Sequence, residues 1–561
     1  MIDPNKSIPR LVNVNSVGHK ARPTSHRLLP GGSGFMPDIA LPQPKRFSDS
    51  CLACSASFDQ IGGMLTSRRC WLLFTLLFTA GLLSAADDRR PNILFCIADD
   101  WGWPHAGAYG SKFVETPTFD RIAREGVLFT NAFTSNPKCA PCRASITTGR
   151  NSWQLEEGIS HWNRWPEQFI TYPDLLAKAG YHVGLTGKGW GPGEFQDSRE
   201  HNPAGPLYDK FKTDPPGKSM STQDYARNFI ENFLPQRDEG QPFCFWLGAK
   251  EPHRAYEEGN GLRRGKSLDT VDVPGFYPDN EIIRSDMLDY AIEVEWYDSH
   301  VARVLEHLRE IGELDNTIIV MTSDHGMPFP RVKGQIYEMG FHLPLAVRWG
   351  DHAPAGRVVT DFINVRDFAP TFLEAAGLTP HAQFTGKSFA NVLRSPDEGR
   401  VDASRDIMLT GKERHDVGRP NDWGYPARAI RTDDFLYVYN FHSERWPAGN
   451  PETDYRNVDA SPTKTHLLER DDHYTADSFG KRPTRQLFAI NEDPDCLNNL
   501  ADSDDHTAVM AHLHTQLMAM LKAEGDPRLN GRADFFDTIE YLGRQTYTWD
   551  VFMENTGPEK N

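Results

Sequence analysis

The sequence predicts an α/β fold with a mostly parallel sheet flanked by helices, extended by a smaller α+β unit at its C-terminal end. Three observations lead there. Apolar runs of strand length alternate with segments of helical spacing. Four of those runs stop abruptly at charged or imidazole side chains, and in open parallel sheets ligands sit at the carboxyl ends of the strands. Past residue 400 the pattern changes to alternating residues and one amphipathic helix.

The elements follow in order. PNILFCIADD (91–100) is a buried strand closing on Asp99 and Asp100. TPTFDRIAREG has a threonine cap, helical spacing and Gly126 as its stop, and VLFTNAF is the next strand. ITYPDLLAKAGYHVGLTGKG gives helix, glycine turn, strand and a loop carrying Lys188. Residues 224–233 are helical, and PFCFWLGAKEPHR is a strand followed by a polar loop with His253. A long helix covers 285–311. NTIIVMTSDHG is a strand closing on Asp324 and His325. RAIRTDDFLYVYNF alternates like an antiparallel strand, residues 451–481 lack periodicity and read as loop, and 507–523 form an amphipathic helix. Domain boundaries are expected at 87–400 and 401–545, with a tail at 546–561.

The chain is long enough, at 561 residues, for two or more domains with real cores. Its formal net charge of −17 argues against nucleic-acid binding by bulk electrostatics, and requires a locally basic pocket for any anionic ligand. Residues 1–63 are polar and aperiodic, a leader or a misplaced translation start. Residues 64–86 follow with Arg68 and Arg69, an apolar run too short to span a bilayer comfortably, and a Ser-Ala-Ala cleavage site. This is a signal peptide, not a transmembrane anchor, with a new N-terminus near Asp87. The export machinery is therefore a partner. Five cysteines would remain, an odd number and too few for a disulfide framework. The only N-x-S/T sequon, at Asn5, lies in the leader, which points to a bacterial exported protein, periplasmic or extracellular.

CAPCRASITTGR (139–150) carries a C-x-x-C pair. A redox pair needs a thioredoxin-like context, and a zinc knuckle needs a second pair. The only other C-x-x-C, Cys51 with Cys54, precedes the signal peptide. What remains is a helix N-terminus with Pro141 and Arg143 in its first turn, an end that favours anions.

C-x-P-x-R followed by T-G resembles the signature of the type I sulfatases, whose first cysteine is oxidised to formylglycine, the hydrated nucleophile. The resemblance covers roughly residues 91–525, and DHGMPFP with EPHR looks most like the heparan N-sulfatase branch. It implies an alkaline-phosphatase-like core and a formylglycine at Cys139, made by a formylglycine-generating or anaerobic sulfatase-maturing enzyme. It implies a divalent metal held by Asp99, Asp100, Asp324, His325 and the modified Cys139. Arg143, Lys188, His253 and Lys333 match the family's catalytic and sulfate-binding positions. Carboxylates with one imidazole suit Ca²⁺, or Mg²⁺, better than zinc.

The sequence departs from the family's common form at four places. His325 stands where Asn is the commoner partner of Asp324. Cys142 replaces the usual Ser, Thr or Ala, and Thr147 an apolar residue. Trp190 stands where G-K-x-H would place a histidine against the formylglycine hydroxyl, and is expected to wall the substrate pocket. Arg414 and His415 are further candidates for that pocket. Taken singly, the Asp99-Asp100 pair reads as a solvated turn and Lys333 as a surface lysine. Cys96 and Cys244 read as small core residues. The expected activity is hydrolysis of sulfate esters or N-sulfates of a sulfated carbohydrate: heparan-type, another glycosaminoglycan or an algal polysaccharide. A phosphoester or phosphonate hydrolase of the same superfamily, and a non-catalytic binder of sulfated glycans, are the alternatives.

Overall fold

Strand-length apolar runs without polar alternation need cover on both faces, and the large sheet of the protein supplies it. The structure, a computed structural model, describes residues 89–556. The expected leader, signal peptide and cleavage point lie outside them, as does the end of the tail. The large sheet contains β1 (Asn92–Ala98), β2 (Val127–Phe133), β3 (His182–Gly187), β4 (Phe243–Gly248), β5 (Thr317–Ser323), β6 (His342–Arg348), β7 (Arg357–Val359) and β8 (Ile363–Asn364). Its order is β8-β2-β6-β5-β1-β4-β3, with β7 also paired to β2. The run β5-β1-β4-β3 is parallel throughout. In it Ala98 stands opposite Ser323, Ile97 opposite Gly248, and Gly187 opposite Gly248.

Helices α1 (Pro117–Glu125), α2 (Cys139–Thr148), α3 (Tyr172–Lys178), α4 (Glu281–Glu310) and α5 (Phe368–Ala375) belong to this layer. Side chains of β1 alternate between two apolar clusters. Leu94, Cys96 and Ala98 join the α4 side, and Ile93, Phe95 and Ile97 join the side of α2 and α5. Cys96 and Cys244 are buried in these clusters. Helix α1 starts at the expected place, but Thr116 does not cap it; its hydroxyl bonds Asp120 instead. Gly126 serves close packing: a Cβ there would meet the Val347 carbonyl oxygen at 2.2 Å. The long helix α4 begins four residues before the expected 285, because Asn280 caps it by accepting from the N–H groups of Ile282 and Ile283. Residues 224–233 form a short α-helical turn that widens into π-helix over Asn228–Phe233.

A second sheet, antiparallel, contains β9 (Met408–Lys412), β10 (Ala427–Arg431), β11 (Phe435–Asn440) and β12 (Arg485–Ala489), in that order. The stretch expected to be one strand, 428–441, is therefore a hairpin, turning at Thr432–Asp434. Helix α6 (Thr507–Ala523) covers this sheet with Leu513, Leu517 and Leu521. The stretch expected as loop, 451–481, holds helices Pro462–Leu468 and His473–Phe479, capped by Ser461 and Asp472. Buried ion pairs tie the two sheets together. Glu338, just before β6, takes Arg431 of β10 at 3.0 Å and His342 at 3.1 Å. No helix of the described residues is long and apolar enough to cross a membrane.

Candidate active site

The sheet register places the chemistry. β1 and β5 end side by side, so Asp99-Asp100 and Asp324-His325 emerge at adjacent strand ends. Asp100 turns through a positive φ of 79°, a costly backbone state that recurs at functional sites, and its N–H bonds Asp324 Oδ1 at 3.1 Å. Lys188 follows β3 because two glycines let the backbones close. The Lys188 N–H reaches the Gly248 carbonyl at 2.7 Å, and a Cβ on Gly187 or Gly248 would meet carbonyl oxygen at 2.1 or 2.0 Å. His253 sits in the loop after β4. Its neighbour Arg254 is locked by both oxygens of Asp286 on α4, at 2.8 and 2.7 Å. Cys139, expected just ahead of the helix, is the first residue of α2, with Lys138 as the residue before it.

These groups converge. Ligand atoms of Asp99, Asp100, Cys139 and His325 all lie within 4.8 Å of one another, and all four side chains are buried. The Cys139 Sγ is 3.4 Å from His325 Nε2. Asp100 Oδ1 is 3.0 Å from the same nitrogen, yet makes no hydrogen bond among the described residues. Two carboxylates, one imidazole and an unpartnered carboxylate oxygen among them fit a divalent cation. Asp324 stands beside the group, with one oxygen held by Arg143 Nε at 2.9 Å. Arg143 is fully buried and does not reach the cavity. It holds Asp324, Asp99 (3.3 Å) and the carbonyls of Lys188 and Gly189, and so fixes the acids. Lys188 pairs with Asp99. Lys333 bridges Asp100 at 2.6 Å and Asp459 at 2.9 Å.

Electrostatics follow from this packing. Burial would raise the Asp99 carboxyl, but Lys188, Arg143, His253 and Lys333 outweigh it and hold the group well below the usual range. Burial raises Asp324 to about 6 against the pull of His325 and Arg143. Burial alone would depress His325, but Asp324, Asp100 and Cys139 lift it to about 9. Burial and Asp99 oppose ionisation of Cys139, and Lys188, His325 and His161 reverse that, leaving the thiol well below its ordinary value.

A cavity of about 520 Å³ opens onto this cluster, lined by Cys139, Lys188, His253 and Lys333, and on the other side by the second sheet's loops and the C-terminal segment. Asp416, Asp459, Arg456, Tyr541 and Tyr547 belong to that far wall. Sequence reasoning missed these, and missed His161 and Lys138. Three expected lining residues are elsewhere. Trp190 is 3% exposed and packs edge-on against Trp165 at 5.1 Å, under Ala140 and Ala144 of α2. It supports α2 rather than walling the cavity. Arg414 is turned toward the C-terminal segment, donating to the carbonyls of Ile539 and Glu540. His415 is buried against Asn136 Oδ1 at 2.8 Å. Their neighbours Asp416 and Val417 line the cavity instead.

The family model named Sulfatase matches residues 91–378. The chain belongs to the sulfatase family. The match spans the strands that carry all of the acids, Cys139, Lys188, His253 and Lys333. This sulfatase is 27% identical over 452 residues to an ulvan-active sulfatase of Formosa agariphila, covering 79% of this chain and 82% of that one. It is 27% identical to the human N-sulphoglucosamine sulphohydrolase, covering 81% and 93%. Among solved structures, a protein in complex with its substrate D-glucosamine-2-N,6-O-disulfate shares the fold, with a TM-score of 0.58, 22% identity, and coverage of 78% and 99%. The alkaline-phosphatase-like core expected from the resemblance, with an antiparallel C-terminal sheet, is the architecture found.

Proposed function

We propose that this sulfatase removes sulfate from a sulfated carbohydrate, as an ester or an N-sulfate, through a formylglycine made from Cys139. The observation that supports this reading most is the placement of Cys139. It lies at a helix start on the floor of a cavity, 3.4 Å from His325, between two lysines that are each anchored to an acid.

Asp99, Asp100, His325 and residue 139, with Asp324 alongside, would hold the cation, Ca²⁺ or Mg²⁺. When bound, it neutralises sulfate oxygen and polarises the attacking group. The chain's own residues supply the rest. Lys188 and Lys333 place fixed positive charge where the transferring sulfuryl group gathers negative charge. Arg143 keeps the acids in register. His253 Nδ1 lies 2.6 Å from the Arg254 carbonyl oxygen and must be the protonated nitrogen there. Its Nε2 is then free to exchange a proton with the leaving group. The far wall sets the aromatic rings of Tyr541 and Tyr547 and the guanidinium groups of Arg456 and Arg544 beside Asp416 and Asp459, and offers an anionic sugar stacking faces and positive charge. Export through the signal peptide and maturation by a formylglycine-forming enzyme belong to the same reading.

Mass spectrometry of the Cys139 peptide, with desulfation of a panel of defined sulfated sugars, tests it. Conversion of Cys139 with turnover of at least one sulfated sugar is the expected result. An unconverted cysteine in a chain that binds but never desulfates would make the protein a glycan binder. Faster hydrolysis of phosphate than of sulfate esters would make it a phosphohydrolase.

A further inference from the structure

Trp190 cannot play the part of the histidine that the family places at its position, because its ring is packed beneath α2. Another imidazole borders the cavity at Cys139. His161 is 7% exposed, and its backbone N–H is fixed to the Arg414 carbonyl at 3.1 Å. Its Nδ1 is 3.0 Å from Asp416 Oδ1. The other oxygen of Asp416 takes the Lys138 ammonium at 3.0 Å, and Lys138 is the residue immediately before Cys139. The carboxylate thus ties this imidazole to the start of α2.

We propose that His161, oriented by Asp416, is the hydrogen-bond partner of the reacting group at position 139, in place of the histidine missing at 190. The inference rests on the reading of position 139 as the nucleophile.

Three observations carry it. First, Asp416 is paired with the Lys138 ammonium at 3.0 Å, and as a carboxylate it accepts only, so the hydrogen between it and His161 sits on Nδ1 and Nε2 is the nitrogen left for another partner. Second, Nε2 is buried and has no hydrogen-bond partner among the described residues. A buried ring nitrogen without a partner is costly unless something else occupies its site. Third, His161 and Cys139 line the same cavity, and the Lys138 that Asp416 holds is the residue immediately before Cys139. His415, the other nearby candidate, spends its Nε2 on Asn136. The Asp416–His161 pair therefore matches the arrangement in which a carboxylate fixes the tautomer and the far nitrogen serves the nucleophile. In the reaction His161 holds the group at 139 by a hydrogen bond, with the imidazole itself held in place by Asp416.

The test is His161→Gln and Asp416→Asn in full-length mature enzyme, assayed on a small aryl sulfate. Conversion at Cys139 is followed by mass spectrometry, and folding by circular dichroism. His161→Gln is expected to lower kcat about 100-fold with KM nearly unchanged, and Asp416→Asn to lower it about 10-fold, at full conversion. A second readout needs no turnover. In ¹⁵N-histidine-labelled protein the His161 ring signals, assigned by their loss in His161→Gln, should shift between protein with Cys139 unconverted and converted. The proposal is overturned if kcat of His161→Gln stays within about twofold of wild type, if KM alone rises, or if the His161 signals ignore the state of residue 139. Should His161→Gln not fold, the shape-preserving Asp416→Asn decides by the same criteria. Failure of Cys139 to convert in active wild-type enzyme would sink the formylglycine reading by itself, and is seen separately.

Discussion

Arg143→Lys isolates geometry from charge. The ammonium keeps the positive charge but has no planar fork, so it reaches one carboxylate where the guanidinium holds two, and with them the carbonyls of Ala98, Lys188 and Gly189. The substitution therefore leaves at least one of Asp99 and Asp324 short of a buried charged partner, in a place where both are almost wholly enclosed. Hydrogen bonds to charged groups contribute about 1.5–3 kcal/mol each, and breaking a buried pair one-sidedly costs about 3–5 kcal/mol. Part of that loss falls on stability and part on the alignment of the acids. An outer partner of metal ligands typically controls affinity about 10- to 100-fold. Arg143→Lys should thus weaken metal affinity by roughly that factor and lower kcat/KM at least as far, with a lowered melting temperature. Metal titration by calorimetry, steady-state kinetics at saturating metal and thermal denaturation read the three effects. Metal affinity and kcat/KM within about threefold of wild type would refute the argument that Arg143 sets the acids.

Cys139→Ala should abolish turnover while preserving the fold, whereas Cys142→Ser should stay active: burial pushes the Cys142 thiol far up and leaves it inert. Kinetics and circular dichroism on both variants check this. Trp190→Ala should cost about 3–5 kcal/mol of stability, as a truncated buried aromatic, with KM for a small sulfate ester nearly unchanged. A loss of sugar affinity at unchanged melting temperature would restore Trp190 to the pocket. Glu338 gives a pH prediction. Burial would raise it, but Arg431 and His342 hold it at about 2 against an ordinary 4.5. A depressed carboxyl contributes stability above its unfolded pKa and loses it as pH falls through its folded one. The window is therefore pH 4.5 down to 2, and the contribution is on the order of 3 kcal/mol. Glu338→Gln should lower stability at neutral pH and flatten the acid limb of the unfolding curve; an unchanged acid limb would show that Glu338 does not drive it.

The acids were legible because a parallel strand delivers the residue after its last apolar position to one edge. Asp99, Asp100, Asp324 and Lys188 obey that rule, His253 follows in the loop after β4, and β5, β1, β4 and β3 are neighbours. The far wall was not legible. Asp416, Asp459 and His161 come from aperiodic stretches, and their meeting depends on loops folding back across the first sheet. The hairpin at Thr432–Asp434 lacked the Asn-Gly type of turn that announces one. The seven-residue helices after Ser461 and Asp472 are too short to show a period, though their caps and Pro462 were available signals. Trp190 misled because a family position fixes the backbone site and not the direction of a larger ring.

All ten residues of α2 are buried, and Cys139 itself is 1% exposed. A catalyst the size of a protein has no approach to that side chain once the sheet and the second sheet's loops have closed around it. If Cys139 is oxidised by another enzyme, as the proposed function has it, that step would have to happen while the segment is still extended, and the order of events in biogenesis would become part of the chemistry. Chain that folds first is locked out, so activity per molecule should follow the race between maturation and folding. Purified, folded, unconverted protein should stay refractory to the maturing enzyme until it is unfolded.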